Sequence, residues 1–94
     1  MERARRLASL LDELGNEIEQ ERSGLQRRMS AQSADAGFLD QCMENGDVPN
    51  KGDRRLGQLA SALLNGEKRL GALRQQAVLV ADLRREIDRF SNQL

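Results

Sequence analysis

The chain has 94 residues, of which 38% are hydrophobic and 32% charged, a composition that allows one small domain with a modest core. Its 15 basic residues balance its 15 acidic residues, and it contains one Cys and no His, Trp, Tyr or Thr. These features exclude histidine chemistry and a Cys/His zinc site, and the zero net charge argues against nucleic-acid binding. We therefore expect a non-enzymatic protein with no catalytic residue, no cofactor and no metal site.

Helix-forming residues dominate the sequence. Leu, Ala, Arg, Glu and Gln are abundant, whereas β-branched residues, which favour strands, number only five. The composition therefore predicts an all-α fold. The five β-branched residues are Ile18, Val48, Val78, Val80 and Ile87.

The first predicted helix spans about residues 3–45. Its apolar residues recur at alternating spacings of four and three, the pattern of a coiled-coil seam, until the phase shifts by one residue after Leu25. The small, polar segment 30–37 lies in this shift, so we expect a kink or a break near residues 30–37. The predicted seam is Leu7, Leu11, Leu14, Ile18 and Leu25, continued by Met29, Ala36, Leu39 and Met43.

A turn is predicted at about residues 46–53, where Gly, Asn, Asp and the single Pro collect. Gly46 suits the left-handed conformation that ends a helix, and Asn50 or Asp53 can cap the start of the next one. The turn would join two long antiparallel helices into a helical hairpin, a single domain over residues 1–94.

The second helix is predicted over about residues 54–92, and its alternation of three and four has no interruption. Its predicted seam is Leu56, Leu59, Leu63, Gly66, Leu70, Leu73, Ala77, Val80, Arg84, Ile87, Ser91 and Leu94.

Folding the chain at the turn brings seam residues of the two helices opposite each other. Residues 1–47 contain six basic and ten acidic residues and residues 48–94 contain nine and five, so charge also favours this pairing. The predicted opposing pairs are Leu25 with Leu73, Ile18 with Val80 and Leu11 with Ile87.

Several apolar residues lie outside both seams, including Leu10 of the first helix. Two helices can cover only one stripe of each other, so a wide stripe or a second interface has to account for the others. We predict that Leu64, Leu79, Leu83 and Phe90 form an interface with a second copy or with a helical partner, giving a four-helix bundle or coiled coil. The complete set on the second helix is Ala60, Leu64, Val78, Leu79, Leu83 and Phe90.

Glu13, Glu17 and Glu21 repeat every four residues and form an acidic row on one helix face. A solvated surface is the favoured interpretation, because the sequence offers no histidine or loop to complete a site. Since the row is repulsive within its helix, we expect basic residues of the other helix nearby. The candidates are Arg74, Arg84 and Arg85.

Two further features receive structural interpretations. Four Arg doublets lie on different faces among acidic residues, which favours solvated ion pairs over nucleic-acid contacts. Cys42 has Asp40 and Glu44 nearby, which disfavours a reactive thiolate and favours a structural thiol.

Five glycines fall inside the predicted helices, where each costs about 1 kcal/mol relative to Ala. Either the packing tolerates them, or they serve a function by permitting a close approach of the two backbones or by keeping the helices loose until a partner is bound. The sequence leaves these interpretations open. They are Gly15, Gly24, Gly57, Gly66 and Gly71.

These patterns favour a helical adaptor or assembly subunit that acts through coiled-coil contacts. Small helical hairpins without catalytic residues are also similar in plan to secretion chaperones and export co-chaperones, which implies a chaperone of a client helix as an alternative. A single Cys and the lack of a long apolar run predict a cytoplasmic location without membrane insertion.

One segment resembles a known family. Residues 14–21, which read LGNEIEQE, are followed by Leu25, Arg27 and Met29, and this run resembles the core of glutamine-type SNARE motifs. The resemblance covers about 25 residues and implies a coiled-coil segment in membrane traffic. Glu21 stands where that family has Gln, so no role is assigned to it.

Overall fold

The computed structural model describes the backbone of residues 2–44 and 50–93 and the side chains of residues 2–41 and 53–93. It contains two α-helices, α1 (Glu2–Glu44) and α2 (Asn50–Gln93), which pack against each other. No strand occurs in these two ranges. The prediction of an all-α helical hairpin is confirmed.

Helix α1 continues through residues 30–37, so the expected break is absent. Gln32, Ala36 and Leu39 are half-buried in this stretch. Packing of an amphipathic face stabilises a helix more than local propensity does, and it holds this weak segment in helical form.

Helix α2 begins at Asn50, earlier than the predicted start near residue 54. Asp53 lies in its first turn, where a carboxylate favours the positive end of the helix dipole. The predictions for Gly46 and Pro49 concern residues outside the described ranges.

The chain divides into two compact units. The first unit joins Met1–Ser23 with Gly71–Leu94, and the second unit comprises Gly24–Leu70. Each has a core made of leucines from the helix seam. The buried leucines among the described side chains are Leu11, Leu70, Leu73 and Leu59.

The seam of α2 follows the prediction. Among its described members, Ala77 alone is exposed, and the others are buried or half-buried. The buried and half-buried members are Leu56, Leu59, Leu63, Gly66, Leu70, Leu73, Val80, Arg84, Ile87 and Ser91.

The predicted seam of α1 is wrong at two of its five N-terminal positions. Leu7 and Leu14 are exposed, and the small residues Ala8 and Gly15 that follow them occupy the seam. When Ala8 and Gly15 are included, the spacings of four and three between seam residues continue to Leu39 without the phase shift that was predicted after Leu25. The buried and half-buried seam of α1 is Ala4, Ala8, Leu11, Gly15, Ile18, Arg22, Leu25, Met29, Gln32, Ala36 and Leu39.

The predicted register is also wrong, by three residues. In the first unit, the Val80 Cγ1 atom lies 3.8 Å from the point where a Cβ of Gly15 would stand, whereas Ile18 had been placed opposite Val80. In the second unit, the Met29 Sδ atom lies 2.7 Å from the corresponding point of Gly66. Both contacts join a large side chain to a glycine, so the large-to-small fit fixes the register.

Candidate interaction surface

The seams define the sides of the helix pair. In heptad notation, α1 has a at 8, 15 and 22 and d at 11, 18 and 25, and α2 has a at 77, 84 and 91 and d at 73, 80 and 87. On a helical wheel, e lies beside a, and g lies beside d with c next to it. In an antiparallel pair, e residues of both helices therefore border one side of the seam and g residues border the other.

Ion pairs occupy the e side of the first unit. The Arg84 Nε atom donates a hydrogen bond to the Asp12 Oδ1 atom at 3.0 Å, and Arg84 Nη1 also pairs with Asp88. Asp12 and Asp88 are both e residues on different helices, which confirms that the e positions share a side. The hydrogen bond that Arg84 donates to Asp12, together with the nearby charges of Asp12 and Asp88, raises the pKa of Arg84.

The seam arginine of α1 has a similar partner. The Arg22 Nε atom donates a hydrogen bond to the Glu19 Oε2 atom at 2.9 Å, and Glu19 is again an e residue. This hydrogen bond lowers the pKa of Glu19 and raises the pKa of Arg22. Both seam arginines therefore direct their guanidinium groups to acids on the e side.

Small residues also leave a shallow open groove on the e side of the first unit. Its lining includes the small residues Gly15, Ala77 and Ala81 together with Arg84 and Asp12. The groove is wide open to solvent and has no buried polar group. We find no feature in it that would position a substrate.

Large apolar side chains collect on the g side of the same unit. The apolar g residues are Leu7 and Leu14 of α1 and Leu83 and Phe90 of α2, and the c residue between the last two is Glu86. The apolar c residues on this side are Leu10, which flanks Leu7 and Leu14, and Leu79, which flanks Leu83. Their exposed fractions range from 37% to 59%. We call this set the leucine face, which consists of Leu7, Leu10, Leu14, Leu79, Leu83 and Phe90.

Three of the four predicted interface residues belong to the leucine face. Leu79, Leu83 and Phe90 lie on its α2 half, whereas Leu64 is a b residue of the second unit and is 66% exposed. The structure therefore does not bring Leu64 together with the other three.

Sequence reasoning missed two residues of the face. Leu7 and Leu14 had been assigned to the seam, so their side chains were considered covered. The signal that could have identified them is the small residue after each one, Ala8 and Gly15, which allows the close approach of α2.

Two of the arginines expected near the acidic row pair with other acids. Arg84 pairs with Asp12 and Asp88, and Arg85 pairs with Asp82 of its own helix. Arg74 is exposed. The interpretation of the row as a solvated surface remains a prediction.

The described residues contain no cluster of three or more His, Cys, Asp or Glu side chains that could hold a metal ion. Within the same ranges, neither helix combines the length and apolarity needed to cross a membrane. The side chain of Cys42 lies outside the described part, so its predicted structural role stays a prediction.

Comparison with known proteins gives no relative: no family model, no curated protein and no solved structure matches the chain.

Proposed function

We propose that this chain is a non-enzymatic protein-interaction module, a helical adaptor or assembly subunit whose leucine face packs against helices of a partner. The leucine face is the observation that carries this proposal. It presents six large apolar side chains from two helices on one side of the first unit. Large exposed apolar side chains that cluster on one side of a fold are typical of protein interfaces.

The small core supports the same proposal. The chain exposes 7148 Å² of surface at a mass of 10.5 kDa, whereas a folded globular monomer of that mass exposes about 5,400 Å². Among the described side chains, each unit has two buried leucines. Such a fold gains stability from covering further apolar surface, and a bundle of helices supplies that cover.

The cytoplasm is the location that we propose for this module, supported by the single cysteine of the sequence, which suits a reducing compartment. The chaperone and membrane-traffic alternatives stay predictions, because no described contact favours either over an adaptor.

Site-specific photocrosslinking in cells that make the protein tests the proposal. A photoreactive phenylalanine analogue replaces Leu83 in one variant and Gln20, an exposed residue away from the leucine face, in a matched control. We expect discrete covalent adducts from position 83 and none from position 20. Absence of adducts from position 83, in protein with wild-type helicity, would contradict the proposal.

A further inference from the structure

We propose that Met29 is a reversible oxidation site, through which a peroxide weakens the helix pair of the second unit. This inference concerns the second unit and does not depend on the leucine face, which belongs to the first unit. Three features of the second unit support it: the half-buried position of Met29, the shape of its contact with α2 and the small core around it.

The Met29 side chain is packed in the seam but is not sealed from solvent. It occupies an a position of α1 and is half-buried, whereas Leu59 and Leu70 of the same unit are buried. Two helices cover each other on one side only, so water and small solutes reach the edges of their seam. A thioether needs no deprotonation before it reacts, so this access allows a peroxide to oxidise Met29.

The thioether of Met29 packs closely against the backbone of Gly66. Its consecutive Cγ, Sδ and Cε atoms lie 3.0, 2.7 and 3.2 Å from the point where a Cβ of Gly66 would stand. At the other described glycines, no atom comes closer than 3.5 Å to the corresponding point. Packing at this density leaves no room for an added oxygen between the sulfur and Gly66.

Oxidation changes both the size and the polarity of this contact. The sulfur attacks one oxygen of hydrogen peroxide, the O–O bond breaks, one oxygen stays on the sulfur as a sulfoxide and the other leaves as water. The sulfur thereby gives two electrons to the peroxide. Gly66 lies inside α2, where the helix uses its N–H group, so the backbone cannot donate to the new oxygen. The sulfoxide therefore has to turn from Gly66 to solvent.

The second unit has little other packing to compensate for this loss. Leu59 and Leu70 are its buried leucines among the described side chains. Gly66 has no side chain that could fill the gap left by Met29, so the helix pair loses stability. We expect oxidation to lower the urea midpoint of unfolding by roughly 0.5–1 M. Methionine sulfoxide reductases regenerate the thioether with electrons from a dithiol, so the loss is reversible.

Peroxide treatment of the purified chain tests the site. Wild type and Met29→Leu are compared in a Cys42→Ser background, so that no thiol is oxidised, and peptide mass spectrometry follows each methionine. Met1 and Met43 are present in both proteins and serve as internal controls. We expect a midpoint loss of roughly 0.5–1 M that depends on Met29. An equal loss in Met29→Leu, or an unmodified Met29 beside fully oxidised Met1 and Met43, would overturn the inference.

The substitution Gly66→Ala tests whether the contact with glycine is the cause. Its methyl group displaces the Met29 thioether before any oxidation, so peroxide should react faster and cost at most about half of the wild-type midpoint loss. Gly71→Ala is the matched control, because the corresponding point at Gly71 has open space, and it should keep the wild-type rate and loss. Equal midpoint losses in the two alanine variants would contradict the role of the contact.

A polar substitution gives a test without oxidant. Met29→Gln has about the length of Met and carries an oxygen on the atom that replaces the sulfur. Untreated Met29→Gln should therefore unfold near the midpoint of oxidised wild type, and a wild-type midpoint would count against the proposal. Methionine sulfoxide reductases with dithiothreitol should restore the midpoint of oxidised wild type. A midpoint that stays low after Met29 has been reduced would show that the damage lies elsewhere and overturn the proposal.

Discussion

Gly66 illustrates at the scale of one residue why the register has its observed value. The Met29 side chain fills the space where a Cβ would stand, with its Sδ, Cγ and Cε atoms 2.7, 3.0 and 3.2 Å from that point. Gly71, by contrast, has open space within 4 Å of the corresponding point. One glycine therefore permits close packing and the other lowers helix propensity without a visible packing role.

We predict opposite effects of alanine at these two positions. Gly71→Ala should raise the free energy of unfolding by about 0.5–1 kcal/mol through helix propensity. Gly66→Ala should come out at least about 1 kcal/mol less stable than Gly71→Ala, because its methyl group displaces Met29. Urea denaturation followed by circular dichroism measures both.

A second variant shows whether Met29 is the cause. In a Met29→Ala background the crowding is removed, so Gly66→Ala should become neutral or stabilising. Equal stability changes for the two glycines in the wild-type background would refute the close contact.

The ion pair of Glu19 and Arg22 predicts a pH effect. The hydrogen bond from Arg22 holds the pKa of Glu19 below its ordinary value of about 4.5, so the folded state binds this proton less readily than the unfolded state. The pair therefore contributes stability above about pH 4.5, and this contribution is lost as the pH falls through the folded pKa. Arg22 and Arg84 have raised pKa values, so their contributions are present at all lower pH values and are lost only in strong alkali.

Glu19→Gln should accordingly be slightly less stable than wild type at pH 7, and this deficit should be smaller at about pH 3. Thermal unfolding at both pH values gives the comparison. Glu13→Gln serves as a control for removing one acid of the helix. A Glu19→Gln deficit that is the same at both pH values would show that charge is not its source.

At the scale of the helices, sequence predicted α2 almost completely and α1 only in part. The α2 seam is marked by large residues such as Leu59 and Leu70, which an apolar pattern identifies directly. The α1 seam contains the small residues Ala8 and Gly15. The adjacent Leu7 and Leu14 are large and apolar but exposed, so a search for an apolar pattern assigns them to the seam instead. Whether a small or a large residue faces a neighbour depends on the shape of that neighbour, which one helix sequence does not contain.

The substitution Gly15→Leu distinguishes the observed seam of α1 from the seam predicted from sequence, because the two predict opposite changes in the free energy of unfolding. In the observed seam, Gly15→Leu places a large side chain against Val80 and should cost about 1–3 kcal/mol, less a partial gain in helix propensity. In the seam predicted from sequence, residue 15 lies outside the contact, and the same change would stabilise by up to about 1 kcal/mol. The midpoint of urea unfolding gives the sign.

The same limit applies to the candidate surface: its residues could be predicted from sequence only where the helix seam had been identified correctly. Leu79, Leu83 and Phe90 could be predicted, because they lie outside a correctly identified seam. Their neighbours Leu7 and Leu14 could not, because the α1 seam had been misplaced by one residue on one side. Leu64 was included in the predicted interface because the sequence indicated that its side chain is exposed, but not on which side of the helix pair it lies.

At the scale of the whole molecule, the first unit has charged side chains in ion pairs on one side and large apolar side chains on the other. The e side has Asp12, Arg84 and Asp88 in an ion-pair cluster, and the g side has the leucine face. Exposed ion pairs contribute only about 0–1 kcal/mol each, so salt should change stability little. Covering the leucine face is the larger available source of free energy.

The central claim is that the leucine face serves association and is not needed for folding. Sedimentation equilibrium over a concentration series, with reductant present and circular dichroism on the same samples, tests it on wild type, Leu83→Asp and the off-face control Leu64→Asp. We predict that all three stay helical, that wild type and Leu64→Asp associate, and that Leu83→Asp is a monomer. Retention of the wild-type assembly by Leu83→Asp would contradict the claim.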